Sequence, residues 1–156
     1  MFYKIKQNSE QQSQPSNNNE FYTLLQEYLN GNPKTGYLVF QITQDSPLQG
    51  TVPIANAKIT VSKMIGNNYF VSRVVTTNED GKTIAIPLPT VDADLSLNPE
   101  NIKPYATYSA IIETEGFLST GAFDIPIFEN ITSIQPITLI PNPSGDRIFA
   151  NQPKLF

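Results

Sequence analysis

Any chemistry in this chain of 156 residues has to come from carboxylates and amines, because it contains neither histidine nor cysteine. That removes disulfides, thiolate nucleophiles, Cys/His zinc sites and the usual general base near neutral pH. Glu79/Asp80 and Glu113/Glu115 are the close carboxylate pairs. General acid/base work needs two carboxyls with separated pKa values converging on a cleft. One pair sits in a turn and the other ends a strand, so no catalytic residue, no enzyme activity and no cofactor is expected. Asp92 and Asp94 are the remaining candidates, as calcium ligands. The glycine and the ordered run of oxygen ligands of an EF-hand loop are missing around them, so a solvated surface loop is the better reading.

Composition narrows the class. Thirteen prolines, eight glycines and 15% charged residues favour many short strands with punctuated turns over a helical bundle. The length suits one domain with extensions. A net charge of −4, with ten basic residues scattered singly, offers no stripe to follow a phosphate backbone, so nucleic acid is not an expected partner. No run of about 18 apolar residues suggests a membrane span. Residues 1–6 lead into polar sequence with no apolar signal-peptide core, which predicts production without ordinary secretion. The absence of cysteine leaves the compartment open.

Residues 71–88 (VSRVVTTNEDGKTIAIPL) predict a hairpin. Val71, Arg73, Val75 and Thr77 alternate with Ser72, Val74 and Thr76, the period of a sheet. Asn78 to Gly81 supply the turn, glycine for a positive φ and Asn78 for side-chain bonds to nearby amides. The second arm places Ile84, Ile86 and Leu88 on one side until Pro87 and Pro89 end the ladder. Before it, residues 37–44 predict a strand apolar on both faces, with Leu38, Phe40 and Ile42 inward. Residues 45–55 predict a loop, and Ala57, Ile59 and Val61 a second strand before a turn at Gly66. After the polar loop 89–104, residues 105–114 predict a strand burying Ala106, Tyr108, Ala110 and Ile112; strands at 117–128 and 133–140 complete the set.

The termini differ in character. Residues 1–6 alternate, Met1, Tyr3 and Ile5 against Phe2, Lys4 and Lys6, as in a short strand with one apolar side. Residues 7–20 contain no apolar side chain except Pro15 and read as a flexible linker, with a reach of about 20 Å. This 1–20 arm is either a frayed end or a strand tethered for a neighbour. Asn18 or Asn19 caps a helix at 20–31, with Phe21, Leu24, Leu25, Tyr28 and Leu29 on one face and Gly31 at its end. So short a helix needs a surface, on its own domain or on another chain. The tail 142–156 carries Ile148, Phe149, Leu155 and Phe156, which need burial too.

Three stretches resemble the carboxypeptidase regulatory-like domain, a prealbumin-like (transthyretin-like) sandwich. They are VPIANAKITV at 52–61, TNEDG at 77–81, and Tyr108 through Gly116-Phe117. Asn56 stands where that family has glycine. The likeness is closer to the domain near the N-terminus of clostridial spore-cortex-lytic and related Firmicutes spore or cell-wall proteins, through Gly36-Tyr37-Leu38-Val39, Ile86-Pro87-Leu88-Pro89, Lys103-Pro104-Tyr105 and 131–137. It covers 36–141, and such domains are accessory modules without transferable catalytic residues. The resemblance implies a mostly β, seven-stranded antiparallel sandwich with one short N-terminal helix and extended arms.

Two functions follow as expectations. The first is a structural subunit that self-assembles into a homo-oligomer or filament by donating its N-terminal strand. Its candidate interface residues are Met1, Tyr3, Ile5, Phe21, Leu25, Tyr28, Ile148, Phe149, Leu155 and Phe156. The second is an accessory module binding cell-wall glycan or other spore proteins, with some of the seven tyrosines stacking on sugars. Either fits a spore surface or cell envelope reached without a signal peptide; otherwise the protein is cytoplasmic.

Overall fold

The computed structural model describes residues 13–97, 100, 103–142 and 149–152. Met1, Tyr3, Ile5, Ile148, Leu155 and Phe156 lie outside the described residues. The order of elements is α1 (Ser13–Gly31), β1 (Lys34–Ser46), β2 (Gly50–Pro53), β3 (Lys58–Ile65), β4 (Asn68–Thr76), β5 (Ile86–Thr90), a 3₁₀ turn (Ala93–Leu97), β6 (Ala106–Glu113), β7 (Ser119–Ile127), β8 (Thr132–Thr138) and β9 (Phe149–Gln152). The fold is a mostly β sandwich of two open sheets with one helix.

The four-stranded sheet is built on β1. Its residues Tyr37, Leu38 and Thr43 each pair on both edges, with β8 on one and with β5 or β2 on the other. The second sheet runs β4-β3-β6-β7-β9. Leu38, Phe40, Ile42, Ile86, Leu88 and Ile137 from the first sheet meet Ile59, Val61, Tyr108, Ala110, Ile112, Ile125 and Ile127 from the second, all buried. Each such large apolar side chain contributes about 1.5–3 kcal/mol on leaving water. The alternation of β1, β3 and β6 is therefore as expected, and β1 is the central strand of its sheet, with Tyr37 and Val39 half-buried on its other face.

The described residues form nine strands rather than seven, and the sheets are mixed: β1 with β8 and β7 with β9 are parallel. β2 lies inside the expected 45–55 loop, as a short return strand on the end of β1. β9 is a four-residue strand in the tail, where Phe149 pairs with Ser119 of its own chain. The helix begins at Ser13 instead of Glu20. Once the apolar turns are anchored, each added residue gains a hydrogen bond at low cost, so a polar stretch can propagate the helix, and Pro15 is tolerated in its first turn.

The 71–88 hairpin does not form. β4 pairs with β3 through the turn at Gly66 and Asn67, whereas β5 pairs with β1 in the other sheet. The turn between them is nevertheless built as expected: Gly81 has φ +75°, and Asn78 Oδ1 accepts from Asp80 N at 2.9 Å and Lys82 N at 3.1 Å. It serves as a corner between sheets because its far side is already bound to β1, with Ile42 N donating to Gly81 O at 2.7 Å and Thr83 N to Phe40 O at 3.1 Å. A Cβ on Gly81 would sit 2.5 Å from that Ile42 oxygen. Pro87 and Pro89 lie within β5 and do not end it, since an edge strand can turn its missing donors away from the ladder. Asn56 takes φ +62°, adopting the left-handed conformation that glycine supplies elsewhere.

Buried threonines fix the corners. Thr77 Oγ1 donates to Ile54 O at 2.7 Å and accepts from Ala57 N at 3.0 Å. Thr90 Oγ1 donates to Ile127 O at 2.6 Å and accepts from Ala106 N at 3.0 Å, joining β5 to the ends of β7 and β6 in the opposite sheet. Thr90→Val keeps the shape and orphans one carbonyl and one amide. We expect a loss of about 2–4 kcal/mol in urea unfolding, with strand content by circular dichroism unchanged.

Candidate functional site

A cluster of connected side chains lies where α1 meets the five-stranded sheet, at the edge of the core. Tyr28 donates to the Tyr108 hydroxyl at 2.9 Å, and Tyr108 donates to Pro89 O at 2.6 Å. Lys63 Nζ donates to Thr107 O at 2.8 Å and stands 5.5 and 5.7 Å from the ring centroids of Tyr28 and Tyr108. Phe21 lies 6.1 Å from Phe70, centroid to centroid. Phe21, Leu25, Tyr28 and Asn32 are half-buried along one stripe, while Leu24 and Leu29, expected on the same face, are exposed. Asn32 Nδ2 donates to Tyr28 O at 2.8 Å and closes the helix end.

These contacts give the direction of the helix. Tyr28 lies over β6 and β3, and Phe21 over β4, where Phe70 is the register partner of Lys63. Seven helical residues span about 10.5 Å, and two strand spacings about 9.6 Å. The lengths match, so α1 crosses the strands steeply. Among the described residues β4 is the last strand of its sheet, so α1, followed from Tyr28 back to Phe21, heads toward that edge.

Electrostatics argue against proton transfer in this cluster. Burial pushes the Tyr28 hydroxyl up despite its bond to Tyr108, and burial together with that bond drives Tyr108 far above the ordinary tyrosine range. Burial lowers Lys63, Lys103 adds to the effect, and Asp124 opposes it. A tyrosine base needs the opposite shift; both phenols here are held protonated as a hydrogen-bonded tie.

The other candidates stay apart from it. Glu79 and Asp80 are exposed in the inter-sheet corner, and Glu113 ends β6 opposite Lys58. Asp92 Oδ1 accepts from Asp94 N at 2.9 Å, and Lys34 Nζ lies 3.8 Å from Asp92 Oδ2 and 3.8 Å from Glu129 Oε2. Among the described residues no three His, Cys, Asp or Glu side chains group to hold a metal. A shallow cleft is lined by Leu29, Asn32, Pro33, Lys34, Pro87 and Pro89 among others, with Lys34 its one ionisable group. No helix among the described residues is long and apolar enough to cross a membrane.

A second feature was not anticipated: the outer face of β4. A bulge leaves Ser72 without a partner, because Val61 pairs with Arg73 and Ser62 with Val71. It turns Val71 outward, away from the face of Val75 that the plain alternation assigned to it. Tyr69, Val71 and Val74 are 56%, 53% and 54% exposed, beside Met64 at 50%. The signal in the sequence was that β4 is apolar on both faces.

No family model matches this chain, and no curated protein does.

The tyrosine tie carries a pH dependence. Above about pH 10 the unfolded chain ionises both phenols while the folded chain keeps them protonated, so folded molecules bind more protons and stability falls as pH rises. Urea midpoints at pH 9 and pH 11 should therefore separate more for the wild type than for a Tyr28→Phe/Tyr108→Phe variant.

Proposed function

We propose that this chain is a non-catalytic structural subunit that self-associates through its N-terminal arm, at a spore surface or cell envelope. The observation that carries this reading is α1, which passes from Tyr108 on β6 to Phe70 on β4, the edge strand among the described residues, and is preceded in the sequence by an arm whose first six residues alternate like a strand. Strand addition to an open edge gives affinity through backbone hydrogen bonds and specificity through alternate side chains. Donation from one subunit to the next is heterologous and propagates into a filament unless the rotation closes a ring. The resemblance to carboxypeptidase regulatory-like domains supports a role without catalysis and a place among spore or cell-wall proteins. A phenol pair held protonated and a cleft with a single ionisable group favour the same reading.

Negative-stain electron microscopy of the full chain beside a truncation lacking residues 1–12 tests it. The full chain should give filaments or rings, and the truncation a folded monomer. Tyr3→Asp with Ile5→Asp should mimic the truncation, because each carboxylate would be buried unpaired. Monodisperse particles from the full chain at every concentration would end the proposal.

A further inference from the structure

The sandwich has several edges, and they are not equivalent. β5 carries Pro87 and Pro89, β8 carries Pro136, and β2 and β9 are four residues each. Proline on an edge and short edge strands both discourage pairing with another chain. β4 runs nine residues without a proline, and its outward row is Tyr69, Val71 and Val74. The bulge at Ser72 and the inward Arg73 restrict pairing past Val71, so a further strand fits best along residues 68–71.

The helix shapes what that strand must look like. α1 reaches the inner side of β4 at Phe70, with Tyr22 exposed beside Phe21. A strand laid along β4 therefore has its inner face over α1 and its outer face in solvent. It should be apolar on one side and polar on the other. Residues 1–6 approach that pattern, with Met1, Tyr3 and Ile5 on one side and Phe2, Lys4 and Lys6 on the other, Phe2 being the one apolar residue on the charged side.

We propose that β4 is the acceptor of the N-terminal strand of a second copy of this chain, with Met1, Tyr3 and Ile5 turned toward α1 and Phe2, Lys4 and Lys6 outward. The inference rests on the self-association proposed above and names its site. The path of α1 favours a neighbour over the chain's own arm. From Phe21 to Ser13 the helix extends about 12 Å, whereas a sixth strand lies one spacing, about 4.8 Å, from β4. Filling its own edge requires the chain to double back over its own helix; reaching a neighbour does not. Lys4 and Lys6 then mark the new edge, and lysine there discourages a seventh strand.

The chain has no cysteine, so introduced pairs report cleanly. Full-length Lys4→Cys protein is mixed under mild oxidation with full-length protein carrying Tyr69→Cys, Val71→Cys or Val74→Cys, each on the exposed outer row. A disulfide between the two chains from at least one of these mixtures, and none with Ile134→Cys on β8, is the expected result. Filaments that form while the arm crosslinks to Ile134→Cys, or to none of these positions, would overturn β4 as the acceptor and leave self-association standing. A Lys4→Cys/Val71→Cys double variant that closes only within one monomer would overturn the second copy. Absence of any assembly by the full chain would remove the proposed function and this inference together.

Discussion

The Tyr108 hydroxyl is the point at which all three layers of this molecule meet. It sits on β6 in the five-stranded sheet, accepts a hydrogen bond from Tyr28 on the helix and donates one to Pro89 O on β5 in the four-stranded sheet. A phenol has one donor and room to accept, and both capacities are used here inside a largely apolar setting. Lys63 adds its cation beside both rings and satisfies Thr107 O, so its aliphatic stem is covered while its charge keeps a partner. Loss of the helix would expose both rings and leave the Tyr108 hydroxyl without its donor. The docking of α1 is thus coupled to the packing of the sandwich end.

The corners are organised by another economy of hydrogen bonds. A chain that passes from one sheet to the other leaves backbone groups that neither ladder can satisfy, and buried groups of that kind need partners. Threonine fills the role at Thr77, Thr83 and Thr90, because its methyl packs in the core while its hydroxyl serves a carbonyl or an amide. Thr83 Oγ1 takes the Phe40 amide at 3.0 Å on the central strand, so the turn before β5 is locked to β1 before β5 begins. This explains how β5 tolerates two prolines: its register is held at one end by the Thr83 corner and at the other by Thr90.

Much of this was legible in the sequence. Strict alternation at Leu38-Phe40-Ile42, Ala57-Ile59-Val61 and Ala106 through Ile112 identified the core faces, because a sheet with one buried side imposes a period of two. Asn78 and Gly81 identified the turn, because their chemistry is local. Which strands pair was not legible. The alternation of 71–88 reads as a hairpin, whereas in the corner between sheets Val71 and Ile84 are exposed while Ile86 and Leu88 are buried, and contacts with Phe40 and Ile42, distant in sequence, decide the outcome. The bulge at Ser72 and the short strands β2 and β9 were hidden for a related reason: they are set by the neighbour each strand finds. The helix stripe was read too broadly, since Phe21, Leu25 and Tyr28 suffice to reach the sheet and Leu24 and Leu29 remain exposed.

The exposed row on β4 needs a physical account of its own. Val71 and Val74 in the open, beside Tyr69 and Met64, are an aggregation hazard on a sheet edge, and the other edges of this sandwich carry proline or are short. β4 does have two moderating features, the bulge at Ser72 and the half-buried Arg73 on its inner side. Both restrict what can pair: a bulge bends and twists the strand, and an inward cation disfavours an apolar partner directly opposite it. Neither removes the backbone groups an edge strand presents, so Tyr69, Val71 and Val74 remain an exposed apolar row on a strand that has one partner among the described residues.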